Sequence, residues 1–140
     1  MTEVIPGILW SSPRPGYKGT QVAETEVAKW VNGAKKRGIK TIFCLLDDTQ
    51  LAYYTSVPGG LLDYYRQAGF VAVPHPVADH QSPPVPPGVL AATYSSFLTS
   101  QKPLLVHCSA GRDRTGAVIK YILDNWPGAS QVETSGHRKE

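Results

Sequence analysis

The chain has 140 residues, 14 of them basic and 11 acidic, with 41% apolar and 18% charged residues and a formal net charge of +3. That is the length of one domain able to bury its own core, and the composition excludes a collagen-like chain, a coiled coil and a highly charged disordered tail. A surplus this mild does not argue for DNA or any other nucleic acid. No apolar run approaches the roughly 18 residues of a membrane span, so no transmembrane segment is expected. The first ten residues carry Glu3 and no basic cluster, which predicts no secretory signal and a cytoplasmic location. Two cysteines, Cys44 and Cys108, come without CxxC or paired-histidine spacing, and read as a reduced pair with no metal site.

In chain order, Val4 to Leu9 reads as a short strand broken by Pro6-Gly7, and Ser11-Ser12-Pro13-Arg14-Pro15-Gly16 as a turn-rich loop. Ala23, Val27, Trp30, Val31 and Ala34 recur at helical spacing, with Gly38 as the stop. Ile39 to Leu46 is a buried-strand candidate, closed by Asp47-Asp48. Leu61 to Gln67 predicts a second helix ended by Gly69, and Phe70 to Val73 a strand cut by Pro74 and Pro76. The six prolines between 74 and 88 make a stiff surface loop rather than a packed element. Helix returns over Val89 to Ser100, and Leu104-Leu105-Val106 fills a central strand. Val118, Ile119, Ile122, Leu123 and Trp126 form one face of a last helix, ended by Pro127-Gly128. Strands alternating with amphipathic helices predict an α/β fold: a central, mostly parallel sheet of about four to five strands flanked by helices. The expected organisation is a single domain over 1–140 with a short polar tail at 129–140, which leaves open how fully one sheet face is covered.

The turn after the Leu104 strand carries the chemistry. It reads His107-Cys108-Ser109-Ala110-Gly111-Arg112-Asp113-Arg114-Thr115-Gly116. A strand ends at a cysteine, a five-residue turn follows, and a helix begins near Arg114. Main-chain N–H groups of such a turn converge into an anion-holding nest, and the helix N-terminus adds unpaired donors. Helix N-termini and cationic neighbours also favour thiolate over thiol. Arg114 can fold back so that its planar guanidinium meets two phosphate oxygens. Gly111 lets the backbone turn, Gly116 allows close packing of helix on loop, and Thr115 brings a hydroxyl near the sulfur. The spacing Gly111-x4-Gly116 matches the glycines of a nucleotide-binding P-loop, but Ala117-Val118 replace the required Lys-Ser/Thr, so no NTPase chemistry follows.

His107-Cys108-x5-Arg114-Thr115-Gly116 resembles the signature of cysteine-dependent phosphatases, the protein-tyrosine and dual-specificity superfamily. The likeness in element order runs from Ile8 to Trp126, and the chain length favours the compact, dual-specificity-like branch and fold. The resemblance implies a cofactor-free hydrolase of phosphomonoesters, phosphotyrosine and also phosphoserine or phosphothreonine on proteins, acting through a cysteinyl-phosphate. Phosphate, sulfate and vanadate would bind as active-site anions. The resemblance assigns Cys108 as nucleophile, and Ser109, Ala110, Gly111, Arg112, Asp113 and Arg114 as the phosphate-binding loop. Thr115 would help the sulfur leave, and His107 would orient the cysteine. A general acid is implied from an upstream loop; Asp79, 29 residues before Cys108 and after the Phe70 strand, fits, although the Trp of the large enzymes' Trp-Pro-Asp is absent.

Around these positions alternatives stay open. His80 and Gln81 could serve Asp79 and the attacking water, or simply face solvent. Asp47-Asp48 either rim the cleft, tune Arg114 or only end a strand. Arg14 reads as loop-fixing first and substrate-binding second. Tyr53-Tyr54 either wall the pocket or join the core. Cys44 is a buried inert thiol or a protective disulfide partner. Lys35-Lys36-Arg37 with Lys40 reads as a solvated helix end ahead of a membrane or RNA contact. Arg112-Asp113 resembles inositol-phosphate-directed relatives and bacterial tyrosine phosphatases alike. Two further functions are therefore carried: a phosphoinositide or RNA 5′-phosphatase, and a phosphate-binding module without turnover.

Overall fold

The computed structural model describes residues 1–129. Its strands are β1 (Thr2–Ile5), β2 (Leu9–Ser12), β3 (Thr41–Cys44), β4 (Val71–Pro74) and β5 (Leu104–His107). Its helices are α1 (Glu24–Lys36), α2 (Asp48–Leu51), α3 (Leu61–Gln67), α4 (Pro87–Thr99) and α5 (Asp113–Asn125). The strands form one sheet ordered β1-β2-β5-β3-β4, parallel except for the β1–β2 pair. This is the α/β architecture expected from the sequence.

Side-chain alternation along the strands divides the core into two layers. Ile42, Cys44, Leu46 and Leu105 pack with Val27, Val31 and Ala34 of α1 and with Leu61 and Tyr65 of α3. Phe43, Leu45, Leu104 and Val106 pack with Phe97 of α4 and with Val118 and Ile122 of α5. Cys108 continues the second set, so its side chain leaves the sheet on the α4–α5 side. Helices cover both sheet faces, which answers the question left open by the short C-terminal segment. The polar tail expected at 129–140 lies, beyond Ala129, outside the described residues.

Local signals explain most boundaries. Glu24 and Glu26 in the first turn of α1 and Lys35 and Lys36 in its last complement the helix dipole. Gly38, at φ +76°, lets the chain reverse, and Ile39 N then donates to Ala34 O at 3.2 Å. The basic run Lys35-Lys36-Arg37 and Lys40 are exposed, the solvated helix end of the first reading. Pro87 opens α4, where a missing N–H costs nothing.

Three expectations need correction. Val4 to Leu9 is not one broken strand: Pro6-Gly7 turns the chain into a β1–β2 hairpin, and Ser11 and Ser12 belong to β2 rather than to a loop. Asp47 does not merely end a strand; its Oδ1 accepts from Gln50 N at 3.0 Å and caps α2. The proline-rich stretch is not wholly superficial, because Val77 and Val85 are buried in the α4–α5 layer.

The register sets up the site. Ser12 pairs with His107, His107 with Cys44, and Cys44 with Pro74. The carboxyl ends of the four parallel strands thus lie side by side at one end of the sheet, and the loops after β2, β3, β4 and β5 meet there, where α/β sheets place their ligand sites.

Candidate active site

Cys108 follows directly on β5, 2% exposed, at the floor of a cavity of about 190 Å3. Ser109, Ala110, Asp113, Arg114, Asp79, His80 and Tyr17 line the same cavity. Gly111 takes φ +75°, and a Cβ there would stand 2.7 Å from Ser12 C, Ser12 O and Pro13 N. The phosphate-loop turn therefore lies against the backbone at the end of β2, and only glycine has both the conformation and the room. Gly116 is different: a Cβ there would meet nothing within 4 Å, so close packing does not explain that residue.

Arg114 is buried to 2% and held from one side. Its Nη1 donates to Gln50 Oε1 at 2.9 Å, Val77 O at 2.9 Å and Leu45 O at 3.3 Å. All three acceptors are uncharged. Nη2 lies 3.1 Å from Asp79 Oδ2, and Nε is buried without a partner. An unpaired N–H on a buried guanidinium is costly unless a ligand completes it. Thr115 Oγ1 is buried and unpaired as well.

Asp79 is brought to this cavity by the loop after β4. Its Oδ2 accepts from Gln50 Nε2 at 2.9 Å, its own N lies 3.4 Å from Asp47 Oδ2, and its Oδ1 accepts from His80 N at 2.9 Å. His80 lies 3.6 Å from the carboxylate but is 91% exposed. Gln81 is exposed and reaches only toward Pro84 O. Arg112 is exposed and outside the cavity lining.

His107 is fully buried, with Nδ1 3.1 Å from Cys108 O and Nε2 2.8 Å from Tyr65 Oη. A carbonyl only accepts, so Nδ1 carries the hydrogen and Nε2 accepts from the Tyr65 hydroxyl. Burial holds its pKa down to about 4, so the ring is neutral and orients the chain at Cys108 rather than supplying charge. Trp30 packs edge-on against it at 5.4 Å.

Arg14 braces the loop from below. Its Nε donates to Ser109 Oγ at 3.0 Å, its backbone N to Ser109 O at 2.9 Å, and its Nη2 to Gly19 O at 2.8 Å. The guanidinium lies 4.8 Å over the Tyr53 ring, while Tyr54 is a core residue whose hydroxyl donates to Pro15 O. Arg14 is thus buried and loop-fixing. Cys44 is 1% exposed, and burial pushes its thiol up to about 12. It is protonated and inert, and both cysteines are free.

Residues the sequence reading placed together do meet: Cys108, Ser109, Ala110, Asp113, Arg114 and Asp79 share the cavity. Gln50, Tyr65 and Tyr17 were not anticipated. Only the strand-end rule pointed toward the segment after β3 that carries Gln50, because its partners lie 29 and 64 positions away. Among the described residues no cluster of histidine, cysteine or carboxylate groups could hold a metal ion.

Comparisons with known proteins agree with this geometry. A family model described as the DSP-PTPase phosphatase of polymorphic toxin systems matches residues 19–128. The human protein cyclin-dependent kinase inhibitor 3 is 31% identical over 110 residues, covering 78% of this chain but only half of its own length. The crystal structure of Tk-PTP in a glycine-to-alanine form superposes with a TM-score of 0.60 at 20% identity, covering 94% of this chain and 77% of that one. The core catalytic domain of the PP-IP phosphatase SIW14 from S. cerevisiae, in complex with citrate, gives a TM-score of 0.57 at 18% identity over 98% and 77% of the two chains. The chain belongs to the DSP-PTPase phosphatase family of polymorphic toxin systems, within the cysteine-dependent phosphatase superfamily.

Proposed function

We propose that residues 1–129 are one catalytic domain that hydrolyses phosphomonoesters, with phosphotyrosine in proteins as the preferred substrate class. The supporting observation is the state of Arg114. Its Nη1 is tied to neutral acceptors, its Nε is unpaired, and its Nη2 meets only Asp79 and carries a second N–H, so Nε and Nη2 can together take two phosphoryl oxygens beside the main-chain turn that starts at Cys108.

The chemistry then runs in two steps. The Cys108 sulfur attacks phosphorus and the bond to the leaving oxygen breaks; Asp79 gives that oxygen its proton. Water next attacks the cysteinyl-phosphate, Asp79 takes a proton from it, and the sulfur departs with the bonding pair. Amides of Ser109 to Asp113 and the Arg114 guanidinium stabilise the equatorial oxygens. The unpaired Thr115 hydroxyl is free to donate to the departing sulfur.

Charge supports the substrate class. The cavity lining carries two carboxylates, Asp79 and Asp113, against the guanidinium of Arg114 and the exposed imidazole of His80, with Arg112 outside it. That balance suits a single dianionic phosphoryl group better than a ring bearing many phosphates. Tyr17, 38% exposed at the cavity wall, offers an aromatic face to an aryl leaving group. The test is hydrolysis of an aryl phosphate and a phosphotyrosine peptide, beside a phosphoserine peptide, a phosphoinositide and 5′-triphosphorylated RNA. Cys108→Ser should abolish turnover while retaining vanadate binding. Equal rates for wild type and Cys108→Ser would overturn the assignment, and a preference for the phosphoinositide or RNA would overturn the substrate class.

A further inference from the structure

We propose that Gln50 is the positioning residue for the acid step, holding the Asp79 carboxyl group over the cleft once substrate has taken its place on Arg114. The inference rests on the hydrolase reading above and extends it to a residue that carries no chemistry of its own.

Gln50 is 7% exposed, and its amide is fully specified by its neighbours. A guanidinium only donates, so Oε1 faces Arg114 Nη1 at 2.9 Å; Nε2 then donates to Asp79 Oδ2 at 2.9 Å. Asp47 fixes the base of this bridge. Its Oδ1 accepts from Gln50 N, and its Oδ2 faces Asp79 N.

The two ends of the bridge are unequal. Arg114 Nη1 keeps Val77 O and Leu45 O when Gln50 is removed. Asp79 Oδ2 has two side-chain donors, Gln50 Nε2 and Arg114 Nη2. A dianionic phosphoryl group on the Arg114 guanidinium offsets its charge and weakens the second of these, which leaves Gln50 as the donor that keeps Asp79 at the cleft. The Gln50 bond to Oδ2 is compatible with a proton on Oδ1, and a neutral amide does not oppose a change in the carboxyl charge. Loss of Gln50 therefore weakens proton delivery more than attack by the sulfur.

The experiment compares wild type, Gln50→Leu and Gln50→Glu on phosphate esters whose leaving groups range from an activated phenol to an alkyl alcohol. Gln50→Glu retains an acceptor for Arg114 Nη1 and loses the donor to Asp79, so it tests the acid end even if the leucine variant folds poorly. General acid catalysis is worth about 10²–10⁴-fold, so losing the holder should cost roughly 10–100-fold on the poorest leaving group. The loss on the activated phenol should be about threefold or less, with vanadate affinity changed no more than that. In an Asp79→Asn background, Gln50→Leu should cost nothing further, because both act on one step. An equal loss on every leaving group, or full additivity with Asp79→Asn, overturns the proposal while leaving the hydrolase reading intact. Absence of Cys108-dependent turnover in the wild type overturns both.

Discussion

Replacing Gly111 by alanine tests whether contact with the end of β2 dictates the shape of the phosphate-loop turn. The backbone at Gly111 sits at φ +75°, and the added methyl would lie 2.7 Å from three main-chain atoms of Ser12 and Pro13. A left-handed conformation costs a residue with a Cβ about 1–2 kcal/mol. Forcing a methyl into a filled space adds about 1–3 kcal/mol. The obstructing atoms are backbone, and Ser12 is paired with His107 in the β2–β5 ladder, so they cannot swing aside as a side chain could. The combined loss of about 2–5 kcal/mol is a large part of a domain's usual 5–15 kcal/mol. A loss of about 3 kcal/mol corresponds to roughly 10 °C in Tm at this chain length. Urea and thermal unfolding of Gly111→Ala measure it directly, with Gly116→Ala as the comparison. Gly116 lies within α5 with open space at its Cβ position, so alanine there should gain about 0.5–1 kcal/mol. A Gly111→Ala midpoint equal to wild type, or an equal loss at Gly116, would refute the reasoning.

Two more outcomes follow from buried titratable groups. The His107 pKa is about 4 folded against 6.5 for a free histidine, so the unfolded chain takes up the proton first as pH falls. Its contribution to stability is complete above 6.5 and lost on the way down to 4, about 3 kcal/mol in all. Urea midpoints across this window should fall in wild type and fall less in His107→Gln; identical slopes would exclude His107 as the source. Cys44, with its thiol pushed up to about 12, should resist iodoacetamide in the native protein at neutral pH, while Cys108 at the cavity floor is alkylated. Peptide mapping reads the ratio, and equal labelling of the two would contradict a Cys44 thiol held protonated by burial.

What could be read without coordinates was whatever is local. The strand Leu104 to Val106, the turn from Cys108 to Arg114 and the helix after it are contiguous, so their roles show in spacing alone. Asp79 was reachable because one strand precedes it and prolines bound its loop. The hairpin at Pro6-Gly7 was harder: four residues on each side are too few for period-two alternation to distinguish two strands from one interrupted strand. Gln50 left no such trace. Its importance comes from register, which sets the ends of β3, β4 and β5 side by side, and no pattern near Asp47-Asp48 records that. Tyr65 was visible as an apolar position on α3, but its hydroxyl contact with His107 depends on how α3 crosses the sheet. Gly116 shows the reverse error, since motif membership suggested tight packing where the surface is open.

The braces around the cysteine loop have a consequence for biosynthesis. Arg14, Gln50, Tyr65 and Asp79 all precede Cys108, and a nascent chain emerges from its N-terminus at about 5–20 residues per second. The ribosome thus releases these side chains seconds before the sulfur that they will surround. β5 lies between β2 and β3, so the sheet closes only when that strand is made, and the nucleophile at its end joins the fold together with the strand that completes it.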